Sequence, residues 1–183
     1  PLNTIGDEGD PSLSPDNKVL YFVRYGATKT KSGLPCGKIY TSERITGTNL
    51  WKEPVALSAA INKGCECNPR ILSDGKTLLF ASERAGGLGD FDQYESKLSN
   101  DKWSTPKPLT FLNTAGDDRY VSVSAQGTTA FYTVTQEKSG QDLAMSTLPN
   151  EFRPDNVFYW KGTIKDAATK QPISARLLVT EKS

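Results

Sequence analysis

The chain contains no histidine. That removes the commonest general base, the commonest metal ligand and the Ser–His and Cys–His pairs of nucleophilic catalysis. Any catalysis would have to rest on carboxylates, Lys, Tyr or Cys, so the absence argues against an enzyme. Long apolar runs are lacking too. A membrane-spanning helix needs roughly 18 apolar residues, and runs such as Val19–Val23 stop at five. Charge of one sign is nowhere concentrated: 22 basic and 21 acidic residues leave a net +1. No Lys/Arg run supplies the footprint of a nucleic-acid binder. Sustained apolar spacing at three and four residues is missing, so helices should be few. Residue 1 is Pro rather than Met, which leads us to expect a chain that begins inside a longer product or after processing.

What is present points to β-structure. The 183 residues are 36% hydrophobic, with three Trp, seven Tyr and seven Phe, enough to bury a core. Fifteen Gly and eleven Pro suggest many turns between short elements.

The chain repeats itself. DEGDPSLSPDNKVLYFVR from Asp7 resembles CECNPRILSDGKTLLFASER from Cys65 and GDDRYVSVSAQGTTAFYTV from Gly116. Pro11 falls on Pro69 and Phe22 on Phe80, 58 apart; Ser73 is matched to Ser124 and Phe80 to Phe131, 51 apart. A second element follows each first one: KIYTSER from Lys38, DQYESKL from Asp92 and DLAMSTL from Asp142. A third, LWKEPVAL from Leu50, matches KWSTPKPL from Lys102, with Trp51 on Trp103, Pro54 on Pro106 and Leu57 on Leu109. Short β-branched and aromatic runs flank Asp16-Asn17, Asp74-Gly75 and Gln126-Gly127, residues that supply the positive φ of tight hairpins. Three or four strands per unit at this period suit a propeller blade, whose two faces are buried only by its neighbours. We therefore expect an all-β chain: a partial β-propeller of three antiparallel blades, about 1–57, 58–109 and 110–155, then the first strands of a β-sandwich over 156–183.

SPDNKVLYF and SDGKTLLFASERAGGLGDFDQYES, each followed by a Trp and Pro pair, resemble the TolB-type propeller repeat. More narrowly they are similar to the version found in outer-membrane-associated proteins of the Bacteroidetes OmpA family. The second unit carries the likeness best, through Ser73-Asp74-Gly75-Lys76, Arg84, Gly86-Gly87, Gly89, Asp92 and Tyr94. The first departs by an insertion, GATKTKSGLPCGK, and the third has Ala125-Gln126 for Asp-Gly and no Gly-Gly pair. The tail VFYWKGTIKDAATKQPISARLLVTEKS from Val157 is similar to the opening of a carboxypeptidase-regulatory-like domain. The resemblance implies a non-catalytic, protein-binding scaffold of the periplasm, associated with the outer membrane or a complex such as the type IX secretion system. It implies contact with peptidoglycan only through a domain outside this chain. Because propellers have four to eight blades, it also implies blades ahead of Pro1 or completion by another chain.

Acidic residues recur before the first strand of each unit: Asp7, Glu8 and Asp10, then Glu66, then Asp117 and Asp118. With Arg70 and Arg119 they form a candidate partner-binding set at one end of the central channel. There they would meet a basic segment or hold Ca²⁺; alternatively each carboxylate caps a turn. No other cofactor is expected. Arg24, Arg44, Arg84 and Arg119 either face the channel or stack on aromatics and pair with carboxylates. The Gly86–Asp92 loop lacks the flanking helix and Lys–Ser/Thr of a phosphate cradle. It reads as a turn in which Asp92 bonds nearby backbone. Cys36, Cys65 and Cys67 are not spaced as a zinc site. Cys36 is expected to bond Cys65 or Cys67, as an oxidising envelope compartment allows. Two rival functions are a substrate-gating propeller of a serine peptidase, which would need a G-x-S-x-G elbow downstream, and a glycan-binding module using Trp51, Trp103 and Trp160.

Overall fold

In the computed structural model, residues 1–136, 140–158 and 162–175 are described. All regular structure among them is β apart from one 3₁₀ turn, Asn150–Phe152. The first blade is β1 (Glu8–Leu13), β2 (Val19–Lys29), β3 (Pro35–Glu43) and β4 (Val55–Ala56), paired in chain order. The second is β5 (Glu66–Ile71), β6 (Thr77–Ser82) and β7 (Asp92–Ser99), with β8 (Lys102–Trp103) and β9 (Lys107–Pro108) both on β7 at its outer edge. The third is β10 (Ser122–Val123), β11 (Thr129–Gln136) and β12 (Gly140–Thr147). Every named pairing is antiparallel.

The tight turns form where the residues demand them. Asn17, Gly75 and Gly127 take φ of 60°, 66° and 69°. In blades 1 and 3 a serine hydroxyl finishes the turn. Ser14 Oγ accepts the N–H of Lys18 and Val19, and Ser124 Oγ accepts those of Thr128 and Thr129. Blade 2 has Leu72 at that place, and Asp74 takes over, accepting the N–H of Lys76 and Thr77 at 2.9 Å each.

These bonds correct the sequence alignment of the third blade. Leu72 N–H donates to the Thr77 carbonyl and Ser124 N–H to the Thr129 carbonyl; Gly75 N–H donates to Leu72 and Gly127 N–H to Ser124. The equivalent of Ser124 is therefore Leu72, not Ser73, and Phe80 matches Tyr132, not Phe131. The true spacing is 52. A one-residue slip exchanges the two faces of a strand, so the correction decides which side chains point into the core.

Two apolar layers separate the three blades. Tyr21, Val23 and Ile39 of blade 1 meet Ile71, Leu78, Phe80 and Tyr94 of blade 2, closed at the edge by Ile61. Leu72 and Leu79, on the other side of blade 2, meet Val121, Ala130 and Leu148 of blade 3 with Leu109, Leu112 and Phe152. All six residues of β6 are buried, as a strand covered on both faces must be. Full burial of one such Leu or Phe contributes about 1.5–3 kcal/mol.

The linkers use one device twice. Asn62 Oδ1 accepts the Ile39 N–H while its Nδ2 donates to the Ile39 carbonyl. Asn113 makes the same two bonds to Gln93. Each Asn clamps the start of a linker to the third strand of the blade before it.

The blade 1 insertion prolongs the β2–β3 hairpin, whose tip leans on blade 2. Lys31 N–H donates to Glu83 Oε1 at 2.8 Å, and Cys36 is disulfide-bonded to Cys65. Gly37 sits at a close approach of blades 1 and 2: a Cβ there would overlap the Glu66 carbonyl and the Val23 side chain. After blade 3 the chain runs back beneath the hairpin turns. Pro154 lies against Gly127, and Asp155 N–H donates to Asp74 Oδ2 at 3.0 Å. In the tail, Lys165 bridges Pro172, and Asp166 Oδ1 accepts the N–H of Ala168 and Thr169, which closes a turn.

Candidate functional site: the inner edge of the blades

The innermost strands β1 and β5 each break register at one place, between Gly9 and Ser12 and between Cys67 and Arg70. In both, the break holds a residue with positive φ: Asp10 at 52° and Asn68 at 50°. The corresponding residue of blade 3 is Tyr120, at 61°. Asx residues tolerate this region, but a bulky aromatic does so only under constraint. Such outliers gather at ligand clamps and active sites, where surrounding contacts over-determine them.

These three positions come together. Asn68 N–H donates to Asp10 Oδ2 at 2.9 Å, and Tyr25 Oη donates to the same oxygen at 3.0 Å. Ile71 N–H donates to Ser12 Oγ, and Arg70 Nη2 reaches Ser122 Oγ at 3.3 Å. The result is an open cleft of about 260 Å³, lined by Asp10-Pro11, Asn68-Pro69-Arg70 and Tyr120-Val121-Ser122. Arg70 is exposed and Tyr120 is 53% exposed, so a cation and a phenol stand at its rim.

The other candidate residues are distributed differently. Glu66 is fully buried: Oε1 accepts the N–H of Gly64 at 2.5 Å and the hydroxyl of Ser82 at 3.1 Å, and its carboxylate lies 3.7 Å from Arg84 and 3.3 Å from Lys38. Asp118 is also buried and accepts from Thr114 N–H and hydroxyl. Burial raises its pKa, and the Thr114 bonds work against that. Neither residue offers a carboxylate to an incoming partner. Glu8 pairs with Arg24 at 3.4 Å and accepts the Thr4 N–H. Asp117 pairs with Arg119 at 2.7 Å. Asp7 and Arg119 line a second cleft of about 300 Å³ with Tyr25, Cys67 and Phe91. The eight residues therefore do not form one ring. Asp10 and Arg70 share the inner cleft, and the rest serve turns, ion pairs or the second cleft. Among the described residues no cluster of three or more acidic or Cys side chains is arranged to hold a metal ion.

The arginines stack. Arg24 lies over Phe22 and Tyr40, Arg84 over Phe80 and Tyr94, Arg44 over Trp51 and Arg119 over Phe91, all within 5.7 Å of the ring centres. Trp103 meets Tyr21 edge-on at 6.2 Å. With Arg44 over its ring, Trp51 has one face taken, and Trp160 lies outside the described residues. Asp92, at 1% exposure, accepts the Gly89 N–H and belongs to the glycine turn. Cys67 is a free thiol buried among Cys36, Cys65, Ala81 and Phe91.

Sequence reasoning missed Asn68 and Tyr120. Two of the three positions carried a signal in the Asp10-Pro11 and Asn68-Pro69 dipeptides, 58 apart. Tyr120-Val121 carried none.

No protein-family model and no curated protein matches the sequence. Solved structures do. The chain is similar to TolB from Acinetobacter baumannii, at 20% identity and a TM-score of 0.51, over 76% of this chain and 29% of that one. It is also similar to a putative TolB from Agrobacterium tumefaciens, at 14% identity and a TM-score of 0.51, over 80% of this chain and 47% of that one. The chain thus spans less than half the length of either. At these identities the likeness concerns the fold, and the fold is that of a TolB-like β-propeller, here three blades side by side.

Proposed function

We propose that the chain is a non-catalytic protein-binding scaffold of the bacterial cell envelope, and that its inner cleft receives a segment of a protein partner. One observation carries this reading: three equivalent left-handed residues, Asp10, Asn68 and Tyr120, converge on one cleft whose rim bears the exposed Arg70. Backbone strain repeated at one place in each blade is expensive unless it shapes something. The TolB-like fold supports the reading, since it supplies a rigid platform with its inner strand ends gathered together. Arg70 favours a partner segment that brings a carboxylate or an acceptor-rich backbone.

The finer assignment follows the repeat resemblance: a periplasmic protein of the OmpA-family kind, near the outer membrane or a secretion complex. Residues 1–155 would be the propeller portion and 156–183 the start of a carboxypeptidase-regulatory-like spacer. Peptidoglycan attachment would belong to another domain of the whole protein. No described helix is long and apolar enough to cross a membrane.

The test is capture from an envelope extract by the tagged chain and by its Arg70→Glu and Tyr120→Ala variants, with Lys102→Glu on the outer edge as control. A partner retained by the parent and the control but lost from both cleft variants supports the proposal. Equal retention by all four places binding elsewhere.

A further inference from the structure

The second hairpin of blade 1 runs on past the place where its blade 2 counterpart stops. Strand β2 has eleven residues and β6 has six. The extra length is not left loose. Thr30 closes the tip: its N–H donates to the Leu34 carbonyl at 2.8 Å, and its Oγ1 accepts the Leu34 N–H at 3.0 Å. Lys31 reaches blade 2 three times, through its N–H to Glu83 and through Nζ to the Gly89 carbonyl and the Asp90 carboxylate. The Cys36–Cys65 disulfide fastens the root to the chain just ahead of β5.

The feature this buttress builds is the second cleft, of about 300 Å³. Leu34 and Pro35 of the inserted hairpin, Tyr25 of blade 1 and Phe91 of blade 2 give it an apolar lining. Glu66 borders it too, but that carboxylate is taken up by Gly64, Ser82, Arg84 and Lys38. Two charges of opposite sign remain. Arg119 lies over the Phe91 ring at 4.0 Å with its Nε on Asp117 at 2.7 Å, which fixes the guanidinium. Among the described residues its Nη groups carry no hydrogen bond, so they are the donors an incoming acceptor meets. Asp7 is exposed, and among the described residues its carboxylate has no hydrogen-bond or ion-pair partner.

An apolar pocket with one unspent group of each sign suits a ligand built the same way. We infer that the second cleft binds a free α-amino acid with a large apolar side chain. The ligand carboxylate meets the Arg119 guanidinium, its ammonium meets Asp7, and its side chain packs on Tyr25, Leu34 and Pro35. A segment from the middle of a protein carries neither terminal charge and leaves both groups unmatched. The volume lies at the lower end of ligand pockets, which suits a single small molecule. This site stands apart from the partner proposed for the inner cleft, and either can fail without the other.

The probe is L-phenylalanine, titrated into this chain by calorimetry at about pH 6, below the α-amino range. N-acetyl-phenylalanine, which lacks the cation, and phenylalaninamide, which lacks the anion, are the comparisons. Phenylalanine is expected to saturate at millimolar concentrations, and each derivative to bind at least about tenfold more weakly, the loss of one charge-assisted bond. Asp7→Asn should lower phenylalanine to the level of the acetylated probe, and Arg119→Met to the level of the amide. Leu34→Glu, at a tip 52% exposed, should weaken phenylalanine without altering the circular dichroism spectrum, and it serves if Arg119→Met unfolds. No saturable binding by phenylalanine overturns the inference. So do equal affinities for the three probes. Binding that Arg70→Glu abolishes and Leu34→Glu leaves alone overturns it as well, because that puts the ligand in the inner cleft.

Discussion

Asp10 holds Asn68: a carboxylate on the innermost strand of blade 1 accepts, at 2.9 Å, the N–H of the residue that occupies its own place in blade 2. The same oxygen receives the Tyr25 hydroxyl. Replacing Asp10 by Ala leaves a part-buried N–H and a phenol without acceptor, at about 1–3 kcal/mol. Asp10→Asn keeps a carbonyl oxygen there and should recover most of the loss. Urea denaturation of the two variants checks this; equal destabilisation would show that the charge, not the acceptor, matters.

Tyr120 illustrates strain held for a purpose. Its φ of 61° costs about 1–2 kcal/mol for a residue with a Cβ. Since its side chain is 53% exposed, little burial is lost on removing it. Tyr120→Gly is expected to leave the melting temperature unchanged or slightly higher while abolishing partner capture. A fall of several degrees would mean that the phenol supports the fold instead.

Glu66 is fully buried and lies between Arg84 and Lys38, with Arg84 itself 7% exposed. Removing one partner of a buried pair leaves the other charge uncompensated, at about 3–5 kcal/mol. Glu66→Gln should therefore destabilise by that order in thermal or urea unfolding. Restoring neutrality through Glu66→Gln with Arg84→Met should cost less than the two changes summed, because the residues are directly coupled.

Cys67 and the disulfide should respond oppositely to reagents. Burial pushes the Cys67 thiol up to about 12, Arg119 pulling the other way. The native thiol should not react with Ellman's reagent at pH 8 until urea unfolds the chain. Because its folded pKa exceeds the unfolded value of 9.0, the folded state keeps a proton that the unfolded state releases. Its contribution to stability is therefore whole below pH 9 and declines as pH rises toward 12. Tyr21, raised to about 12 by burial, adds in the same sense. The part of the alkaline slope missing from Cys67→Ala measures the thiol alone. Reducing Cys36–Cys65, which closes a separation of 29 residues, should cost about 3–4 kcal/mol by loop entropy.

Much of the fold was legible because it is local. Positive φ at Asn17, Gly75 and Gly127 was written in the turn residues, and the repeated Trp–Pro element marked the outer edges of blades 1 and 2. Blade 3 was misread by one residue because Ser124 matches Ser73 in type, while its partner in space is Leu72. A serine hydroxyl and an Asp carboxylate perform the same capping from different positions, and letters alone do not reveal that. The site was only half legible for a related reason. Counting carboxylates before each first strand picked out Glu66 and Asp118, which the fold consumes internally, along with Asp10, which it presents. Burial separates them, and burial depends on neighbours distant in sequence.

Partner binding at the inner cleft, as proposed, can be read out at a single residue. Its most direct test places a photo-crosslinking residue at Tyr120, with Asp101 on the outer edge as control, and irradiates each in an envelope preparation. One discrete adduct is expected from position 120, disappearing when Arg70→Glu is added, and none from position 101. An adduct from position 101 alone, or no dependence on Arg70, would contradict it.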